Sequence, residues 1–159
     1  MRTSKEKAVI AVLLALPVAI ATGDQILKRK AKRKLREGEE RRIGRPPFTF
    51  ILRRIENKGA ALNLGDKKPA VVRFISVFVT AALTLLYIIT LGRCGKGLLK
   101  AGMALLLGGA YSNTYDRLRD GYVTDYISAA RGPAWFRKIV FNIGDFCIAA
   151  GAALMVAGQ

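Results

Sequence analysis

Histidine is absent from this chain of 159 residues. That absence removes Ser-His-Asp and Cys-His catalysis and the histidine-rich metal sites. Cysteine is scarce. Cys94 and Cys147 lie in different parts of the chain and suggest no disulfide framework, and Cys147 reads as a small buried residue. Acidic residues are also few, 11 Asp and Glu against 27 Lys and Arg. No Ser/Lys pair stands at a spacing that suggests a nucleophile with its base. Chemistry in this chain therefore falls to carboxylates, with no metal and no cofactor expected.

What is abundant is apolar sequence. Hydrophobic residues make up 52% of the chain, gathered in blocks with the charges between them, the pattern of a multi-spanning membrane protein. The blocks are 8–22, 70–91, 98–115 and 139–157. A helix needs about 20 residues to cross the hydrocarbon core. The second block meets that requirement, with Arg73 close enough to one end to snorkel. The first and third are short and need polar flanks to extend them, and Pro17 predicts a kink in the first. Gly and Ala in the last two blocks would let helices approach closely. The resulting expectation is an all-α membrane protein, a four-helix transmembrane bundle forming one membrane-embedded domain over 1–159. A cleaved signal peptide competes for 8–22, since Lys5 and Lys7 precede a short apolar core.

The first connection, residues 24–69, holds 15 Lys and Arg. Its run LKRKAKRKLREGEERRIGRPP reads as a short basic helix with a Gly/Pro stop. Such a segment is either a solvated arm or a contact for anionic membrane phospholipid; beside a membrane it is not read as binding nucleic acid. After Pro47, alternation over 48–55 predicts a strand and Gly59 a turn, so a small amphipathic sheet should rest on the membrane surface.

Ionisable residues inside spans are functional candidates by default. Asn113-Thr-Tyr-Asp116 and Asn142-Ile-Gly-Asp145 share a pattern, and on a helix residues i and i+3 share a face. Each asparagine is expected to orient its own carboxylate, with Arg117 beside Asp116. Asp145 alone would be an unpaired buried charge. A second carboxylate beside it would leave one proton shared between two groups, supplying a base to activate water and an acid for the leaving amine. By spacing, Asp116 and Asp125 both qualify as that partner, while Asp120 reads as a surface charge. The structural alternative makes these aspartates helix caps and arginine partners.

Four elements in order then resemble the bacterial lipoprotein signal peptidases, the type II signal peptidases. They are Asp24-Gln25-Ile-Leu-Lys28, Asn57-Lys-Gly59-Ala60-Ala61, Gly108-Gly109-Ala110-Tyr-Ser-Asn113-Thr-Tyr-Asp116-Arg117 with Gly121-Tyr-Val123-Thr-Asp125-Tyr, and Phe141-Asn142-Ile-Gly-Asp145. The resemblance implies a membrane aspartyl endopeptidase that cuts prolipoproteins before a diacylglyceryl-modified cysteine. It implies Asp125 and Asp145 as the catalytic pair and Asp116 with Arg117 as an ordering pair beneath them. Asn57, Gly59, Asn113 and Asn142 would hold substrate backbone or the carboxylates, and Asp24 and Lys28 would be structural. The first-loop sheet becomes a cradle over the bound peptide.

Departures from the family pattern are Leu62 for phenylalanine, Ser112 for glycine, Gly144 for alanine, Ser128 for an acidic residue, and a longer basic arm at 29–45. The resemblance also implies the bacterial cytoplasmic (inner) membrane, with both long loops and the site on the extracytoplasmic face. Charge opposes that orientation. With four spans, 21 of the 27 basic residues lie on the side of the long loops, which the positive-inside rule would make cytoplasmic. Competing functions are a Gly-x-Gly-Asp membrane protease, against which Asn142 stands at the first glycine, and a small transporter or non-catalytic scaffold using intramembrane aspartates.

Overall fold

The first apolar block is the beginning of a much longer helix. In the computed structural model, which describes residues 3–36, 39–60 and 64–158, α1 spans Ser4–Lys34. At 1.5 Å per residue its 31 residues extend about 46 Å. A capping box starts it: Thr3 Oγ1 accepts from the Glu6 N–H and the Glu6 carboxylate accepts from the Thr3 N–H. Lys32, Arg33 and Lys34 end it, favourably placed at the negative end of the helix dipole. The helix runs on through Pro17, whose missing N–H leaves the Leu13 carbonyl without its intrahelical donor. Tyr87 Oη supplies the missing donor, 2.7 Å from Leu13 O. One hydrogen bond thus repairs the proline defect and ties α1 to the next helix, Pro69–Gly92 (α2), which begins with Pro at its first position.

Helix α3, Gly97–Arg119, packs against α1, α2 and the last helix, α5 (Ile143–Ala157). Small residues allow this. A Cβ built on Gly102 would lie 2.7 Å from Gly151 O, and one built on Gly109 would strike Gly144 O. Here α3 and α5 touch backbone to backbone, the mode by which helices pack without large side chains. The apolar core between α1, α2 and α3 holds Leu13, Tyr87, Leu91, Met103, Ala104 and Leu107. By contrast Phe74, Phe78, Leu85 and Ile88 of α2 project outward, more than half exposed. Only α1 and α2, among the described residues, are long and apolar enough to cross a membrane by length and composition; α5 is a shorter apolar helix.

Between α1 and α2 the chain forms the hairpin of β1 (Glu40–Arg45) and β2 (Phe48–Asn57), and β3 (Val123–Ala129) follows α3. These make one antiparallel sheet in the order β1-β2-β3. Leu52 pairs with Ile127, but the next aligned pair is Ile55 with Asp125, so β2 contains one extra residue. Such a bulge reverses which side chains face which way. Without it Glu56 would share the face of Asp125; with it Asn57 does.

A short helix, α4 (Ala134–Lys138), leads to residues 139–142. The fourth apolar block does not start as helix. Phe141 bridges to Ile127 in extended conformation, and α5 begins only at Ile143. The structure is therefore mostly helical with the small sheet expected from the first loop, to which β3, after α3, adds a third strand. Ala61 and Leu62 lie outside the described residues.

Candidate active site

The turn after α3 decides where Asp125 goes. Asp120 caps α3, and Gly121, at φ 80°, takes the left-handed conformation that glycine alone adopts freely. The chain then enters β3, whose alternation sends Val123, Asp125 and Ile127 to one face and Thr124 and Tyr126 to the other. Tyr126 packs with Ala31 and Leu35 of the α1 end. Asp125 turns to a cavity of about 530 Å³.

Asp145 reaches the same cavity from α5. It is the third residue of that helix and completes a capping box with Asn142: Asn142 Oδ1 accepts from the Asp145 N–H at 2.9 Å, and Asp145 Oδ2 from the Asn142 N–H at 3.0 Å. With its oxygen so engaged, the Asn142 amide has only its nitrogen left to offer, and Nδ2 donates to Asp125 Oδ1 at 2.7 Å. Asn142 therefore holds both carboxylates.

Two more asparagines repeat this logic. Asn57 Oδ1 accepts from the Gly59 N–H at 2.9 Å, so its Nδ2 donates to Asp125 Oδ2 at 3.1 Å. Asn113 Oδ1 accepts from Lys28 Nζ at 2.8 Å, so its Nδ2 donates to Asp145 Oδ1 at 2.9 Å. Each of the four carboxylate oxygens receives an amide N–H, and each amide is oriented by a bond on its other side. Burial pushes the Asp125 carboxyl up to about 7, and the nearby Asp145 adds to the rise. The Asn142 and Asn57 donors and the Lys28 charge oppose it without prevailing.

Behind the cavity lies a second, fully buried cluster. Lys28 Nζ pairs with Asp24 Oδ2 at 2.9 Å and Asp116 Oδ2 at 3.0 Å, and donates to Ser112 Oγ at 3.1 Å. Asp116 also accepts from Gln25 Nε2 at 2.7 Å and from the Thr124 N–H at 3.1 Å. Asp24 accepts from Ser112 Oγ at 2.6 Å and Tyr126 Oη at 3.0 Å. A lone buried charge would be intolerable here, but each of these groups has partners.

Three sequence expectations change. Asp116 and Arg117 are not an ion pair: neighbours on a helix point about 100° apart. Asp116 turns to Lys28, whereas Arg117 donates from Nη2 to Gly59 O at 2.9 Å and from Nη1 to Asn113 O at 3.4 Å. Nor does Asn113 orient Asp116, since its amide is spent on Lys28 and Asp145. Asp120, expected as a free surface charge, is only partly exposed and pairs with Lys32 at 2.5 Å. Of the candidates, Asp125, Asp145, Asn57, Asn113 and Arg117 line the cavity. Asn142 and Gly59 support that wall, and Asp24, Lys28 and Asp116 form the cluster behind. Thr124 and Tyr126 were not legible as site residues, because nothing in a strand's alternation marks which outward-facing polar group will meet a buried acid. The rest of the cavity is mostly apolar, walled by Ile75 and Val79 of α2 and Ile148 and Ala149 of α5, with the hydroxyl residues Ser76, Thr80 and Thr114 among its lining. No group of three His, Cys, Asp or Glu among the described residues is placed to hold a metal ion.

The chain is similar to known proteins over most of its length. The family model for signal peptidase (SPase) II matches residues 16–158. A lipoprotein signal peptidase of Halothermothrix orenii is 32% identical over 133 residues, 84% of each chain. One of Lactobacillus johnsonii is 30% identical over 154 residues, 96% of this chain and 92% of the relative. A solved structure described as a bacterial membrane enzyme has the same fold, with a TM-score of 0.74 at 19% identity, covering 92% of this chain and 86% of that one. With its long apolar helices the protein is a membrane protein, and it belongs to the signal peptidase II family.

Proposed function

We propose that this protein removes signal peptides from prolipoproteins as a membrane aspartyl endopeptidase, cutting before a diacylglyceryl-modified cysteine, with Asp125 and Asp145 as its catalytic pair. The observation that carries the catalytic assignment is the pair itself. Two carboxylates from different elements meet at the polar end of one cavity, joined through Asn142. The family and the named relatives carry the substrate class.

Asp125 holds its proton up to about pH 7, so it acts as the acid and Asp145 as the base. Asp145 takes a proton from water as the water oxygen attacks the scissile carbonyl carbon. The Asp125 proton passes to the carbonyl oxygen. Collapse of the tetrahedral adduct breaks the C–N bond as Asp145 gives the amine the proton taken from water, and the hydroxyl formed from the carbonyl returns its proton to Asp125 as C=O re-forms. Arg117, half-buried at the cavity wall with its Nε unpartnered, has a donor available for a substrate carbonyl. The apolar walls contributed by α2 and α5 suit acyl chains entering from the bilayer.

The remaining features fit one membrane-embedded domain of four transmembrane helices, α1, α2, α3 and α5, in a bacterial cytoplasmic membrane. The sheet then lies at the extracytoplasmic face as a cradle. Arg29, Lys30, Arg33, Lys34, Arg42 and Arg45 make no ion pair among the described residues, and anionic phospholipid headgroups are their natural counter-charges.

The test is direct. Purified protein in detergent, given a diacylglyceryl-modified precursor, should cleave it before the lipidated cysteine. Asp125→Asn and Asp145→Asn should each lower the rate by at least about a thousandfold. An intact precursor with wild-type protein in several lipids would point instead to a transporter or scaffold.

A further inference from the structure

We infer that Tyr126 is a positioning residue, setting the separation of the two carboxylates by fastening the first turn of α5 to β3 and α1. This rests on the peptidase reading for its kinetic consequence, though not for the contacts.

Asp125 and Asp145 belong to elements linked along the chain by a 13-residue excursion through α4, whose end is held to β3 by the backbone bridge of Phe141 to Ile127. Their spacing depends on where α5 starts. The first residue of α5, Ile143, presents an N–H with no carbonyl acceptor within its own helix, and Tyr126 Oη accepts it at 3.3 Å. The same hydroxyl donates to Asp24 Oδ1 at 3.0 Å. Its polarity is forced. An ionised Asp24 can only accept, so the tyrosine proton must point to Asp24, leaving an oxygen lone pair for Ile143.

Asp24 is immobile. It is buried, and its other oxygen holds Ser112 Oγ of α3 and Lys28 Nζ of α1. Ile143 follows Asn142, the residue that touches both carboxylates. The connection therefore runs from α1 and α3, through one hydroxyl, to the residue that spans the pair. Gly144 belongs to the same device. A Cβ there would lie 3.1 Å from Asp24 Oδ2 and 2.9 Å from Asn142 Oδ1, so glycine leaves both side-chain ends undisturbed where α5 meets the Asp24 anchor.

The charged groups acting on Asp125 are Asp145 from α5, Lys28 from α1 and Arg117 from α3. If the α5 start drifts outward, the influence of Asp145 weakens, and so does the Asn142 donor bond to Asp125.

Tyr126→Phe keeps the ring and deletes the hydroxyl, and it can be compared with wild type on the lipidated precursor. The expected kcat is lower by about 10- to 100-fold, with KM changed by less than about threefold. The basic limb of the kcat profile should move, because Asp145 and the Asn142 donor both act on Asp125 and both ride on the α5 start. Amide hydrogen exchange at Ile143 should accelerate by about tenfold or more in Tyr126→Phe, as the bond is lost. That measurement needs no turnover, so it separates failure of this inference from failure of the peptidase reading. Unchanged Ile143 exchange, or faster exchange with wild-type kcat and an unmoved pH profile, overturns the positioning role.

Discussion

Asp125 experiences opposing influences, and their balance is testable. Burial and Asp145 raise its pKa to about 7; two amide donors and Lys28 pull the other way. In the unfolded chain the group titrates near 3.8. The folded protein therefore binds an extra proton between those values, and this contribution to stability is full below pH 3.8 and lost as pH rises through about 7. Melting of wild type and Asp125→Asn in the same detergent should show the difference. The wild type loses stability relative to the variant across that window, and parallel curves would refute the raised pKa. Activity should follow the same group, with kcat falling above about pH 7 as the acid loses its proton.

At the scale of elements, close approach of α3 and α5 brings Asn113 to Asp145. Gly109 lies one turn before Asn113, and its would-be Cβ meets Gly144 O, one residue before Asp145. Gly109→Ala should lower stability by about 1–3 kcal/mol and reduce cleavage more than its loss of stability explains. Gly23 of α1 is the contrast, because a Cβ there meets nothing within 4 Å. Gly23→Ala should be neutral or stabilise by up to about 1 kcal/mol. Melting temperatures beside specific activities decide both. If Gly109→Ala behaves like Gly23→Ala, backbone contact between α3 and α5 does not set the site.

At the scale of the molecule, orientation sets charge against chemistry. With four spans, most basic residues would share a side with Asp125, yet a signal peptide must be cut where translocated substrate emerges. The short turn between α2 and α3 carries Cys94, which is exposed. With Cys147→Ser removing the other thiol, a membrane-impermeant maleimide should leave Cys94 unlabelled in intact cells and label it after the membrane is opened. Labelling of intact cells would place the basic loop and the site inside.

The sequence by itself determined the family, the apolar blocks and the carboxylates, because each is a local property: a run, a charge, a motif at fixed spacing. The resemblance also marked Asp125 before any contact was known. Spacing alone could not choose between Asp116 and Asp125, since an Asn-x-x-Asp repeat does not say where an amide finds its partner. The tertiary structure decided that Asn113 serves Asp145 across α3 and α5, that Asp116 serves Lys28, and that Arg117 holds the Gly59 turn instead of Asp116. It also decided that a one-residue bulge in β2 puts Asn57 on the face of Asp125, and that a tyrosine hydroxyl and an asparagine amide join three elements around one buried acid. These choices depend on which elements meet and how close they come. Backbone packing at Gly109 and Gly144 and the register of the sheet set that distance, and neither can be counted along the chain.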